Sequence, residues 1–104
     1  MRMMSKSLTT TKRLKPVHPG EILALEMEAR GLSSLAPSLK LRVPANRISE
    51  IVNGPRGITP ETALRLGRYL GTGAELWTRL QADFDLAAAE RELGPTIRRE
   101  VEAA

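Results

Sequence analysis

In Val43-Pro44-Ala45-Asn46-Arg47-Ile48-Ser49-Glu50-Ile51-Val52-Asn53-Gly54, a proline stands near the front and a glycine at the end of a short amphipathic run. Proline has a φ suited to a first helical turn, and glycine supplies the positive φ that closes a helix. At about 100° per residue, Ile48, Ile51 and Val52 fall on one face, and Asn46, Ser49, Glu50 and Asn53 on the other, with Arg47 on the flank. The stretch therefore predicts a short helix from Pro44 with an apolar back and a front of short amides and hydroxyls plus one guanidinium. Long charged side chains are the usual dress of a solvated helix. Short amides and hydroxyls are what a helix needs to approach base edges in a DNA groove.

The rest of the composition bounds the reading. A chain of 104 residues is one domain with room for a modest all-helical core. With no cysteine, neither disulfides nor thiolate metal sites hold it, and a cytoplasmic protein is the plain expectation. The apolar runs are too short to span a bilayer. One each of Trp, Tyr and Phe is too few for a platform that stacks single-stranded bases. A lone histidine, His18, offers neither a clustered metal site nor a catalytic triad, and no glycine-rich phosphate loop follows a strand, so an enzyme, a metal and a cofactor are not expected.

The net charge of +4 is segregated along the chain: +5 over residues 1–15, −3 over 16–29, +5 over 30–74 and −3 over 75–104. The positive middle coincides with the polar-fronted helix, the electrostatic footprint expected of a surface that meets phosphate.

Taken in order, residues 1–17 are rich in Ser, Thr and Lys without hydrophobic periodicity and are expected to form a disordered basic arm. His18-Pro19-Gly20-Glu21 opens a first helix, with His18 as a capping or packing residue, and Arg30-Gly31 ends it. Ser33 is the expected N-cap of a second helix reaching about Leu41. Pro37 lies awkwardly in that helix, which implies a start near Ala36 or a distorted first turn. Arg42 then occupies a turn where glycine would be easier if positive φ is required. Thr59-Pro60-Glu61 starts a fourth helix and Gly71 stops it. Thr72-Gly73-Ala74-Glu75 reads as a capping box for a fifth helix, along which Leu76, Trp77, Leu80, Phe84, Ala87 and Ala88 line one broad apolar face. Gly94-Pro95 is expected to break that helix, leaving 94–104 as a charged tail beyond a domain spanning 18–93.

Five helices with short connections, the second and third joined by a tight turn, give the plan of a helix-turn-helix bundle. His18-Pro19-Gly20-Glu21, Asn46-Arg47-Ile48-Ser49-Glu50-Ile51, Asn53-Gly54, Arg56-Gly57-Ile58-Thr59, Thr62-Ala63-Leu64-Arg65-Leu66, and Trp77 with the Leu86-to-Leu93 segment, in this order, resemble the HigA family of antitoxins. The resemblance covers residues 16–94 and implies a phage-repressor-like, five-helix, all-α fold. It also implies a homodimer on a palindromic operator of double-stranded DNA, and a HigB-like toxin, a ribosome-associated mRNA endonuclease, as partner. Three positions depart from the family pattern, and a fourth from related repressors. Pro37-Ser38 replaces a Leu-Ala pair, Arg42 replaces the turn glycine, and Ala45 stands where related repressors often carry Gln.

On this reading Ser33 and Ser34 ahead of the second helix and Arg56 in the following loop meet phosphate. The front of the third helix from Ala45, with Asn46, Arg47, Ser49 and Asn53, meets the bases, and Arg47 either reads a guanine or meets the backbone. A single module buries too little surface for useful affinity, so a dimer is required, with its two recognition helices about 34 Å apart. The expected dimer face is Leu76, Leu80, Phe84 and Ala87, the alternative being that the whole apolar face from Leu76 to Ala88 folds back on the core. The acidic segment from Asp83 to Glu102 is expected to face a basic toxin. Two alternatives stay open: a stand-alone regulator without a toxin, and a toxin-binding module whose DNA binding has weakened through Pro37 and Arg42.

Overall fold

The computed structural model describes residues 17–33 and 35–104. The expected basic arm, up to residue 16, lies outside the described residues, as does Ser34. The described residues form five helices and no strand: α1 (Pro19–Ala29), α2 (Leu35–Leu41), α3 (Arg47–Val52), α4 (Pro60–Leu70) and α5 (Ala74–Glu100). The all-α helix-turn-helix plan read from the sequence is the architecture found.

Local chemistry sets most of the boundaries. His18 caps α1, its Nδ1 accepting from the Gly20 N–H at 2.9 Å, and Pro19 takes the first helical position. Thr59 caps α4 by accepting from the Thr62 N–H, again with proline next in line. Gly31, Gly54 and Gly71 end α1, α3 and α4 at φ of 67°, 111° and 77°. Gly20 is required for another reason: a Cβ there would stand 2.0 Å from the Ile51 carbonyl oxygen, so only glycine lets α1 lie this close to α3.

Four local expectations are corrected. The third helix does not begin at Pro44. Pro44 and Ala45 form a turn in which the Arg47 N–H reaches the Pro44 carbonyl, and Asn46 becomes the N-cap with φ −92° and ψ 0°. Ser33 is not adjacent to α2, which starts at Leu35. Pro37 is then the third residue of α2, inside the first turn, where backbone N–H groups have no helical acceptor and a missing donor is harmless. The capping box of Thr72 and Glu75 does not form. Gly73 is the N-cap of α5, and the Thr72 hydroxyl is engaged elsewhere, accepting from the Trp77 indole N–H at 2.8 Å and donating to the Gly73 carbonyl.

The fourth correction concerns Gly94-Pro95, which does not break the last helix. α5 continues through Pro95 to Glu100, 27 residues in all. Proline withdraws one donor from the Arg91 carbonyl, but this stretch is exposed and water can take the donor's place. The Glu90 carboxylate packs over Gly94 and pairs with Arg98, bridging the two turns around the proline.

The core gathers Leu23 and Met27 of α1, Leu41 of α2, Ile48 and Ile51 of α3, Ile58, Ala63, Leu66 and Leu70 around α4, and Trp77 of α5. Trp77 is fully buried with its one polar atom bonded, so the largest side chain of the core carries no orphan donor. Arginines staple helix ends across the bundle. Arg65 donates to the Leu41 carbonyl at the end of α2, and Arg30 to the Leu70 carbonyl at the end of α4, each a cation at the negative end of a helix dipole.

Beyond Trp77, α5 contributes nothing further to the buried hydrophobic core, and its distal part extends away in a molecule measuring 48 × 32 × 22 Å. Among the described residues no helix is long and apolar enough to cross a membrane.

Candidate nucleic-acid interface

Ile48 and Ile51 are fully buried, which anchors α3 against α1 and α2 and turns its other face outward. Asn46 and Asn53, at the two ends, are exposed, and Ser49 and Glu50 between them are half-buried. A short helix with apolar residues spaced three apart can do nothing else once those residues enter the core.

The departures noted above lie in α2 and in the turn leading into this helix, and those at Pro37, Ser38 and Arg42 have a physical account. Arg42 has φ 61°, the one positive-φ residue other than glycine among the described residues. The α2–α3 turn therefore does demand the left-handed conformation, and arginine adopts it at a cost of roughly 1–2 kcal/mol. Ser38 is fully buried, and its hydroxyl donates to the Ala45 carbonyl at 3.2 Å, tying α2 to the entry of α3. An alanine there could not make this bond. Pro37, Ser38 and Arg42 thus leave the helix-turn-helix geometry intact.

On the outward face, Glu50 is the hub. Its Oε2 accepts from Asn46 Nδ2 at 2.8 Å and its Oε1 from Arg56 Nε at 2.7 Å, while its backbone carbonyl accepts from the N–H of Gly54 and Arg56. The loop after α3 is thereby folded back against the helix, and Arg56 lies beside Asn46 rather than on a separate flank. The Ser49 hydroxyl turns back to the Asn46 carbonyl at 3.0 Å.

Arg47 behaves differently. It is half-buried and its Nη1 donates to Thr62 Oγ1 at 3.3 Å, leaning toward the first turn of α4 and away from the Asn46–Asn53 face. Ala45 is exposed at the entry of α3, and Ser33 is exposed ahead of α2. Of the expected contact residues, the structure brings Asn46, Ser49, Asn53 and Arg56 to one surface and sets Arg47 on its margin.

Two residues that organise this region, Glu50 and Gln81, are not among the expected contact residues. Glu50 was visible as part of an Asn46–Glu50 pair at i, i+4 spacing, the reach at which helical side chains meet. Gln81 had no local signal. From α5 its Oε1 accepts from the Ile58 N–H at 2.7 Å and its Nε2 donates to Asp85, pinning the 55–58 loop to the last helix.

Of the residues expected at a dimer face, Leu80, Phe84 and Ala87 lie on the bundle side of α5, and Leu76 sits at its exposed edge. Leu80 packs on the core, the Phe84 ring meets His18 edge-on at a centroid distance of 4.9 Å, Ala87 is half-buried and Leu76 is 36% exposed. The opposite side of the same helix carries a second apolar stripe, Leu86, Leu93 and Ile97, at 71%, 48% and 48% exposure. At 100° per residue this stripe falls about 180° from Trp77, so the sequence periodicity already separates it from the face of Leu76 to Ala88.

A chain of known structure from Coxiella burnetii, an addiction module antidote protein of the HigA family, superposes with a TM-score of 0.83 at 40% identity, over 88% of this chain and 100% of that one. The chain belongs to the HigA family. The Pseudomonas aeruginosa antitoxin HigA, solved with the higBA promoter, superposes at a TM-score of 0.81 with 41% identity, over 84% of this chain and 96% of that one. The virulence-associated protein I of Dichelobacter nodosus is 48% identical over 77 residues, 73% of this chain and 71% of that protein. No protein-family model matches the chain. The HigA-family likeness spans all five helices, so the fold of the family, its helix-turn-helix included, is the fold of this chain.

Proposed function

We infer that this HigA-family chain is a DNA-binding autorepressor and the antitoxin of a toxin–antitoxin pair. The observation that carries the reading is α3 itself: a helix locked by Ile48 and Ile51 that turns Asn46, Ser49, Asn53 and the neighbouring Arg56 outward, in a family with a member solved on its own promoter. Short amides and a hydroxyl on this face suit base edges in the major groove, and the exposed guanidinium of Arg56 suits the adjoining phosphate. Arg47, drawn toward α4, meets the backbone in this scheme and supplies affinity rather than sequence. Ser33 and Ser34, ahead of α2, meet phosphate on the other flank.

One such module covers too few base pairs, so the operator is palindromic and two copies bind it, with α3 helices about one turn of DNA apart. The second apolar stripe of α5, Leu86, Leu93 and Ile97, joins Leu76 in covering the partner copy, because an uncovered stripe of this length marks an interface. Toxin neutralisation falls to the remaining surface. The acidic residues between Asp83 and Glu102 offer a complement to a basic RNA-cleaving partner.

Fluorescence anisotropy with the DNA upstream of the chain's own gene tests the reading. Binding should be sequence-specific and should weaken as salt rises, with log Kd linear in log salt. Equal affinity for that DNA and for a shuffled duplex would leave a protein-binding module whose DNA contacts have decayed. Co-expression with the neighbouring gene product tests the toxin half. A stable complex and rescue of growth are expected, and a neighbour that neither binds nor arrests growth leaves a stand-alone regulator.

A further inference from the structure

We propose that Glu50 is a specificity-determining positioning residue: it clamps the Asn46 amide in the one orientation that reads adenine. The inference rests on α3 being the DNA-contacting helix. An amide side chain can present its oxygen or its nitrogen on a given side, and an exposed Asn alone has little to choose between them. Here the Glu50 carboxylate stands 2.8 Å from Asn46 Nδ2. The flipped amide would set its Oδ1 against a carboxylate oxygen, two acceptors with no proton between them, so the flip is disfavoured.

What remains of the Asn46 amide is one N–H and the Oδ1, side by side. That donor–acceptor pair complements the N7 acceptor and N6 amino donor on the major-groove edge of adenine. The carboxylate itself is not a base reader. Both of its oxygens already hold donors from this chain, Asn46 on one and Arg56 on the other. Arg56 also offsets the negative charge that would otherwise repel DNA phosphate, and with Nε committed to Glu50 its two terminal nitrogens are left as the fork for phosphate. A carboxylate on a DNA-facing surface thus acts on sequence through its neighbour.

The test measures the affinity of the wild type, E50Q, N46A and the double variant for the chain's upstream operator. Each base pair of the site is substituted in turn, and thermal melts of each variant are taken in parallel. Asn46 should account for a preference for adenine at one position in each half-site. E50Q, whose side-chain amide can donate as well as accept and so tolerates the flip, should lower that preference by about tenfold at the same positions and nowhere else. The double variant should discriminate no worse than N46A alone. Affinity for random DNA should hold or rise in E50Q, since a negative charge is lost near phosphate.

Four results overturn the proposal while leaving the regulator reading standing: no change in E50Q; a loss uniform over all sequences; a changed preference at base pairs that N46A leaves alone, which would make Glu50 a direct reader; or an Asn46-dependent preference for a base other than adenine. A wild type that does not distinguish its operator from random duplex instead overturns the regulator reading, and this inference with it.

Discussion

At the scale of single residues, the strained and the buried positions make the sharpest predictions. Arg42 holds φ 61° in the turn of the helix-turn-helix, a conformation glycine adopts freely. R42G should therefore raise stability by about 0.5–1 kcal/mol, the relief of strain exceeding the extra freedom glycine gives the unfolded chain, as read from urea midpoints at constant m. Loss of stability instead would mean that the exposed guanidinium contributes more than the strain removes. Trp77 is fully buried among the helices, and W77A should destabilise the fold by about 3–5 kcal/mol. Arg47 is bonded to Thr62 rather than presented with Asn46. R47A should weaken operator and random DNA alike and reduce the salt slope by about one, as loss of a phosphate contact does. Relaxed specificity at a single base pair would return Arg47 to the base-reading face.

At the scale of elements, α5 departs furthest from expectation. Gly94-Pro95 carries the ordinary signature of a helix stop, yet the helix runs on to Glu100. Punctuation residues act through the hydrogen bonds and clashes of one turn, and one missing bond on a solvated stretch need not end a helix that continues on both sides. P95A should then stiffen the distal end, slowing amide exchange over residues 92–100 relative to the wild type, because proline in a helix interior costs about 3 kcal/mol. Unchanged exchange there would mean that Pro95 imposes no strain. The shorter helices followed their local signals more closely. His18, Thr59 and the glycine stops of α1, α3 and α4 all act within a few residues of themselves, so their roles could be read without knowing what they pack against.

At the scale of the molecule, the outcome turns on how α5 leaves the bundle. Its first turns are held by Trp77, Leu80 and Phe84, and its outer stripe of Leu86, Leu93 and Ile97 has no cover among the described residues. Charging that stripe with L86E and L93E should leave the monomer fold intact by circular dichroism and convert a dimer to a monomer by light scattering. Operator affinity should fall by on the order of a hundredfold, since the second half-site would no longer be bound intramolecularly. A double variant that remains dimeric would place the interface elsewhere.

The sequence by itself determined that the chain is a bundle of five helices, where most of them stop and start, and which side of α3 is apolar. Those properties arise from contacts no further than one helical turn, so residue order suffices. Only the tertiary structure decided that Arg47 turns to Thr62, that Arg65 and Arg30 staple the ends of α2 and α4, and that Gln81 pins a loop 23 residues behind it. It alone decided which side of α5 is covered. Such choices depend on where one helix docks against another, and the periodicity of a single helix carries no information about its neighbours.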